Sequence, residues 1–116
     1  MSKDNAYLAD ILKAAKAIER FLEGVPQAAF LTNEEKYEAV NRKFEIIGEA
    51  ARHLSPESRA QFPDIPWRLL SAMRNILIHD YGDVDLVIVW DTTQRDIPKL
   101  ISVLEAHFAT LPPPPR

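Results

Sequence analysis

Cysteine is absent from the 116 residues, which excludes disulfides, thiolate metal sites and cysteine nucleophiles and fits a reducing cytoplasm. Histidine is scarce and scattered: His53, His79 and His107 show no HExxH or comparable ligand spacing. Neither a bound metal nor any other cofactor is therefore expected. No run approaches the roughly 18 uninterrupted apolar residues of a membrane-spanning helix. The amino terminus, Met1 to Asn5, is early acidic and polar and leads into an amphipathic segment, unlike a signal peptide, so a soluble cytoplasmic protein is expected. Basic excess is missing too. The net charge is −3 and the pI near 5.6, which argues against holding nucleic acid through a broad positive field but leaves room for a local phosphate site. Between Lys36 and Arg74 basic residues slightly outnumber acidic ones, most of them read as solvating outer faces.

Sustained sheet-type alternation is also lacking. Only Val84 to Trp90 is β-branched enough to suggest a strand, and with no partner strand it is assigned to helix. What remains is helical periodicity. Leu8, Ile11, Leu12, Ala15, Ile18 and Leu22 line one face of a first helix over residues 4 to 23, stopped by Gly24 and Pro26. Pro26 to Leu31 reads as a connection, and Thr32 with Glu35 as a capping box opening a second helix. Tyr37, Val40, Phe44, Ile47, Ala51 and Leu54 then form a seam with intervals of three and four, beside a mid-helix Gly48 that suggests close approach of another backbone. Ser55-Pro56 opens a short turn ending near Phe62, and Pro63 to Pro66 makes a rigid elbow. The next helix runs from Pro66 to about Asp80, ended by Gly82, with Leu70, Met73 and Leu77 as its core stripe. Asp83 is expected to cap a last helical region that Pro98 kinks or breaks. The whole reads as one all-α domain over residues 1 to 111, followed by an extended proline-rich tail from 112 to 116. Trp67, Trp90, Phe44 and Phe108 read as core or interface aromatics rather than base-stacking platforms.

The chemistry concentrates in Arg74-Asn75-Ile76-Leu77-Ile78-His79-Asp80-Tyr81. Arginine can clamp a phosphate in a planar fork, and histidine can move a proton near neutral pH. Asn75 can orient His79, hold a phosphate oxygen or make an ordinary structural bond. Asp80 is better read as an exposed helix-end residue than as an assistant to the histidine. At about 100° per residue, positions five apart diverge by about 140°, so Arg74 and His79 do not share a narrow face, whereas Asn75 and His79 do. One helix alone makes a poor site.

Arg74, His79 and Tyr81 match the R-x4-H-x-Y signature of HEPN-domain toxins of the HepT type. The surroundings match as well: Ile47-Gly48-Glu49-Ala50, Pro63-Asp64-Ile65-Pro66-Trp67, Met73-Arg74-Asn75, and Trp90 with Ile97-Pro98. The chain thus resembles that family over nearly its whole length. The resemblance implies an all-α up-and-down bundle forming a two-fold homodimer, with metal-independent endoribonuclease activity as the toxin of a type VII toxin–antitoxin pair. It also implies an MntA-type nucleotidyltransferase antitoxin that silences the toxin by transferring AMP to the motif tyrosine, here Tyr81.

RNA cleavage without a metal requires deprotonating the ribose 2′-hydroxyl, stabilising charge on the phosphoryl oxygens and protonating the departing 5′-oxygen. Arg74 and His79 are the residues expected to carry this, giving a 2′,3′-cyclic phosphate. Pairing two copies across a dyad lets one histidine act as base and its twin as acid. Two other classes stand beside the enzyme: a catalytically silent subunit that binds substrate or partner for a nucleotidyltransferase, and a purely structural dimer module. An intact Arg74 and His79 favour the enzyme.

Overall fold

Apolar side chains three and four residues apart organise the elements around one core. In α1 (Ser2–Leu22), Leu8, Ile11, Ala15 and Ile18 are sealed from solvent, and Gly24 closes the helix in the left-handed region at φ 72°. The computed structural model describes residues 2–78 and 85–112; the side chains of Ser2, Arg74, Ile76 and Ile78 are outside that description. Among the described residues there are seven helices and no strand: α2 (Gln27–Thr32), α3 (Glu34–Arg52), α4 (Pro56–Gln61), α5 (Trp67–Ile78), α6 (Leu86–Arg95) and α7 (Ile97–Ala109) complete the set. Leu86 to Trp90 is helical, as the lack of a partner strand requires.

Three details depart from the sequence expectation. Pro26 to Leu31 is not a plain connection, because Gln27–Thr32 forms a short helix that seats Phe30 in the core. Thr32 is accordingly the end of α2, its hydroxyl donating to the carbonyls of Ala28 and Ala29, and Asn33 caps α3 by accepting from the Lys36 amide at 3.1 Å. Asp85, rather than Asp83, caps α6, accepting from the Val87 and Ile88 amides; Asp83 and Gly82 lie outside the described residues. Other stops hold. Ser55 accepts from the Ser58 amide to open α4, and Pro98 sits in the first turn of α7, separated from α6 at Asp96.

Side-chain contacts fix the directions. Tyr7, early in α1, stacks on His53, just past α3, at 5.2 Å, so α1 and α3 run antiparallel. His107 of α7 meets the Asn5 side chain of α1 at 2.9 Å, which sets α7 antiparallel to α1. The Trp67 indole N–H donates to the carbonyls of Arg59 and Phe62, so α5 starts at the end where α3 finishes and returns along it. The helices therefore lie in the order α5, α3, α1, α7 in an all-α up-and-down arrangement. Trp90 of α6 packs on Phe30 of α2 at 5.4 Å and closes the far end. Val40, Phe44, Ile47 and Ala51 of the α3 seam are fully buried, with Leu54 nearly so.

Asp4 ties the amino terminus to this frame. Its carboxylate accepts from the hydroxyls of Ser55 and Ser58, each at 2.6 Å, and from the Ser55 amide. The Ser55 hydroxyl first, then that of Ser58, holds the carboxyl below the ordinary carboxylate range. No described helix is long and apolar enough to cross a membrane.

Candidate functional site

Helix α5 presents two different faces because its apolar and polar residues follow separate helical rows. Leu70 and Met73 are fully buried, and Leu77 packs against the same core. Ser71, Ala72 and Asn75 fall on the other side, within about a turn of one another. Arg52, the last residue of α3, reaches the same place. Arg52, Ser71, Ala72 and Asn75 line an open groove of ≈ 390 Å³ between α3 and α5.

Asn75 is exposed there. Arg74 occupies the α5 position between Met73 and Asn75, but its side chain lies outside the described residues, as do the whole of His79, Asp80 and Tyr81. The groove thus adjoins the backbone that carries Arg74. Two polar lining residues were not foreseen as site residues. Ser71 stands four residues before Asn75, a spacing visible in the sequence, whereas the approach of Arg52 is a tertiary event with no such signal.

Charge separates this groove from the recess between α1 and α3. The cleft between α1 and α3, of ≈ 470 Å³, is bordered by Asp10, Glu45 and Glu49 with Arg42 and His53. Arg42 is paired with Glu45, and His53 with Glu49 at 3.3 Å, so little positive charge is left for an anion. Among the described residues, the α3/α5 groove has no carboxylate in its lining. Arg52 does approach Glu49, but at 3.7 Å and with about half of its side chain in solvent, so guanidinium donors stay accessible. Among the described residues no three His, Cys, Asp or Glu side chains converge as a metal site would require.

Known proteins place these residues in context. A candidate RNase of Methanocaldococcus jannaschii is 37% identical over 100 residues, covering 86% of this chain and 92% of its own. A protein of Thermococcus cleftensis named probable ribonuclease HepT is 40% identical over 94 residues, covering 81% of this chain and 86% of its own. A further candidate RNase, from Caldanaerobacter subterraneus, is 33% identical over 100 residues, or 86% of this chain and 89% of its own. No solved structure matches the chain. The family described as ribonuclease HepT-like matches residues 11–107, a span that runs from the buried face of α1 to the end of the bundle and takes in every position of the Arg74 to Tyr81 run. By that match and those relatives, this chain is a member of the HepT-like ribonuclease family.

Proposed function

We propose that the protein is a metal-independent endoribonuclease, the toxin of a type VII pair, in which Arg74 and His79 cleave RNA and Tyr81 is the point of control. The observation that carries this function is the unbroken Arg74, His79, Tyr81 spacing inside the span matched by a ribonuclease family. The exposed Asn75 beside Arg74 supports it, since an open amide on that helix suits a phosphate oxygen or a catalytic imidazole.

His79, as neutral imidazole, takes the proton of the 2′-hydroxyl. The freed oxygen attacks phosphorus, the bond to the 5′-oxygen breaks, and a second imidazole returns a proton to that leaving oxygen. Arg74 spreads its charge over the non-bridging oxygens as they gain negative character. The acid is the His79 of a second protomer, which makes the working unit a two-fold homodimer in the cytoplasm. Products are a 2′,3′-cyclic phosphate and a 5′-hydroxyl, and no metal enters the cycle.

An MntA-type nucleotidyltransferase antitoxin silences the enzyme by attaching AMP to Tyr81. The added phosphate brings negative charge into the place where the RNA backbone lies and competes for Arg74.

Two measurements test this function. Labelled RNA incubated with excess chelator is expected to be cut by the native protein and left intact by the His79→Ala and Arg74→Ala proteins of verified fold. Equal cleavage by all three would assign the activity to a contaminant, and RNA binding without cleavage would make the chain a silent subunit. Tyr81→Phe is expected to stay active in the presence of the antitoxin and ATP, and its continued silencing would remove Tyr81 from the control step.

A further inference from the structure

A set of hydrogen-bond donors lies beside the α5 backbone that carries Arg74. Arg52 contributes a guanidinium from the end of α3, Ser71 a hydroxyl and Asn75 an amide from α5, and Ala72 between them is small enough to leave the groove open. These are donor groups with no carboxylate among them. One residue extends the row. Arg68 lies three residues before Ser71 and seven before Asn75, is exposed, and enters no ion pair among the described residues. A helix rises about 1.5 Å per residue, so Arg68 and Asn75 are separated by about 10 Å along the same side of α5. That is an elongated track rather than a point site.

We infer that Arg52, Ser71 and Asn75, continued by Arg68, form a binding track for backbone phosphates of the RNA strand, next to the scissile position. This rests on the ribonuclease function proposed above and names the residues that hold its substrate. Arg52 is a substrate-binding residue here, with no part in proton transfer. The charge balance explains why such a track is required. With a net charge of −3 the molecule as a whole repels RNA, so affinity must come from a local cluster of cations with exposed donors. Glu49 limits that cluster without cancelling it, because its contact with Arg52 at 3.7 Å leaves the planar fork able to turn toward a phosphate.

The test uses a mixed-sequence pool of short fluorescent RNA in which every 2′-oxygen is methylated, so that binding is read without cleavage. Anisotropy titrations across a salt series compare the native protein with Arg52→Ala, Arg52→Lys and Arg68→Ala, each checked for fold by circular dichroism. Arg52→Ala is expected to weaken binding about tenfold at low salt and to lower the slope of log K against log salt by about 0.7, the share of one phosphate contact on a single strand. Arg52→Lys retains the charge but not the fork, so its slope is expected to stay native while affinity falls part of the way. Arg68→Ala is expected to lower the slope by a similar amount.

Native affinity and slope in both alanine proteins would overturn the track. If His79→Ala still abolished cleavage in that case, the ribonuclease function would stand without it. The converse also separates the two: a native protein that binds RNA through Arg52 but cuts none keeps the track and loses the enzyme. A nucleoside monophosphate offers the same phosphate chemistry, so AMP is titrated in competition. Full displacement of the RNA by AMP in the native protein, with RNA affinity indifferent to Arg68, would reassign the groove to a mononucleotide and overturn the track.

Discussion

Replacing Asn41 with leucine is expected to make the protein more stable, although the change removes a polar residue from a helix. Asn41 lies on α3 beside the Val40 and Phe44 seam, is only 8% exposed, and its Oδ1 accepts no hydrogen bond among the described residues. A buried polar atom without a partner costs about 1–3 kcal/mol. Leucine removes that deficit, gains about 0.5 kcal/mol in helix propensity and sets two apolar methyl groups where the amide oxygen and nitrogen stood, each worth about 0.8 kcal/mol when buried. Against this stands the strain of a larger side chain, about 1–3 kcal/mol where neighbours cannot yield. The balance favours Asn41→Leu by about 1–2 kcal/mol, or a Tm higher by about 4–8 °C for a chain of this size. Urea unfolding followed through Trp67 and Trp90 fluorescence, at fixed protein concentration, measures it. The midpoint should rise with m unchanged. Asn41→Asp, which buries a charge in the same shape, is expected to lose several kcal/mol. A leucine protein less stable than the native one by 1 kcal/mol or more, about the size of one hydrogen bond, would show that Oδ1 is partnered in solution and would refute the reasoning.

Three further substitutions probe the helical frame. Asn33→Ala is expected to destabilise by about 1 kcal/mol through loss of the α3 cap, while Thr32→Ala changes stability by only a few tenths; chemical denaturation distinguishes them, and the reverse order would restore Thr32 as the cap. Asp4 is held below its ordinary carboxylate value by Ser55 and Ser58, so its contribution is fully present above that ordinary value of 3.8 and fades as pH falls through the lower folded value. Asp4→Asn should therefore be less stable than the native protein at neutral pH, with the gap closing in acid below about pH 4. Unfolding curves taken across that range report it, and a pH-independent gap would remove Asp4's charge from the account.

Periodicity revealed most of the bundle because its long helices are built on the same rule that buries them. The Val40, Phe44, Ile47, Ala51 seam reads from spacing alone and is fully buried in the structure. The Ser55-Pro56 opening of α4 and the break before Pro98 are equally local, since caps and prolines act within a single turn. Short elements escaped that logic. Gln27–Thr32 seats only Phe30 in the core, too little for a periodic signal, and Thr32 and Asn33 are adjacent residues of similar capping ability. Asn33 took the role because its backbone is extended, at φ −102° and ψ 97°, while Thr32 is still helical. Of the groove's lining, Asn75 stood out in the sequence from its place in an apolar run, whereas Arg52 arrives from the end of another helix and Ser71 looks like any solvated serine until the two meet in one groove.

The proposed function hangs on the substrate's own 2′-hydroxyl being the nucleophile, with His79 as its base and Arg74 as the phosphate clamp. The most direct measurement places a single 2′-deoxyribose at the mapped cleavage position of an otherwise native RNA and incubates both strands with the protein in excess chelator. The account predicts that the all-ribose strand is cut to a 2′,3′-cyclic phosphate and that the substituted strand survives at that position. Cleavage of the deoxy position at the native rate would contradict it.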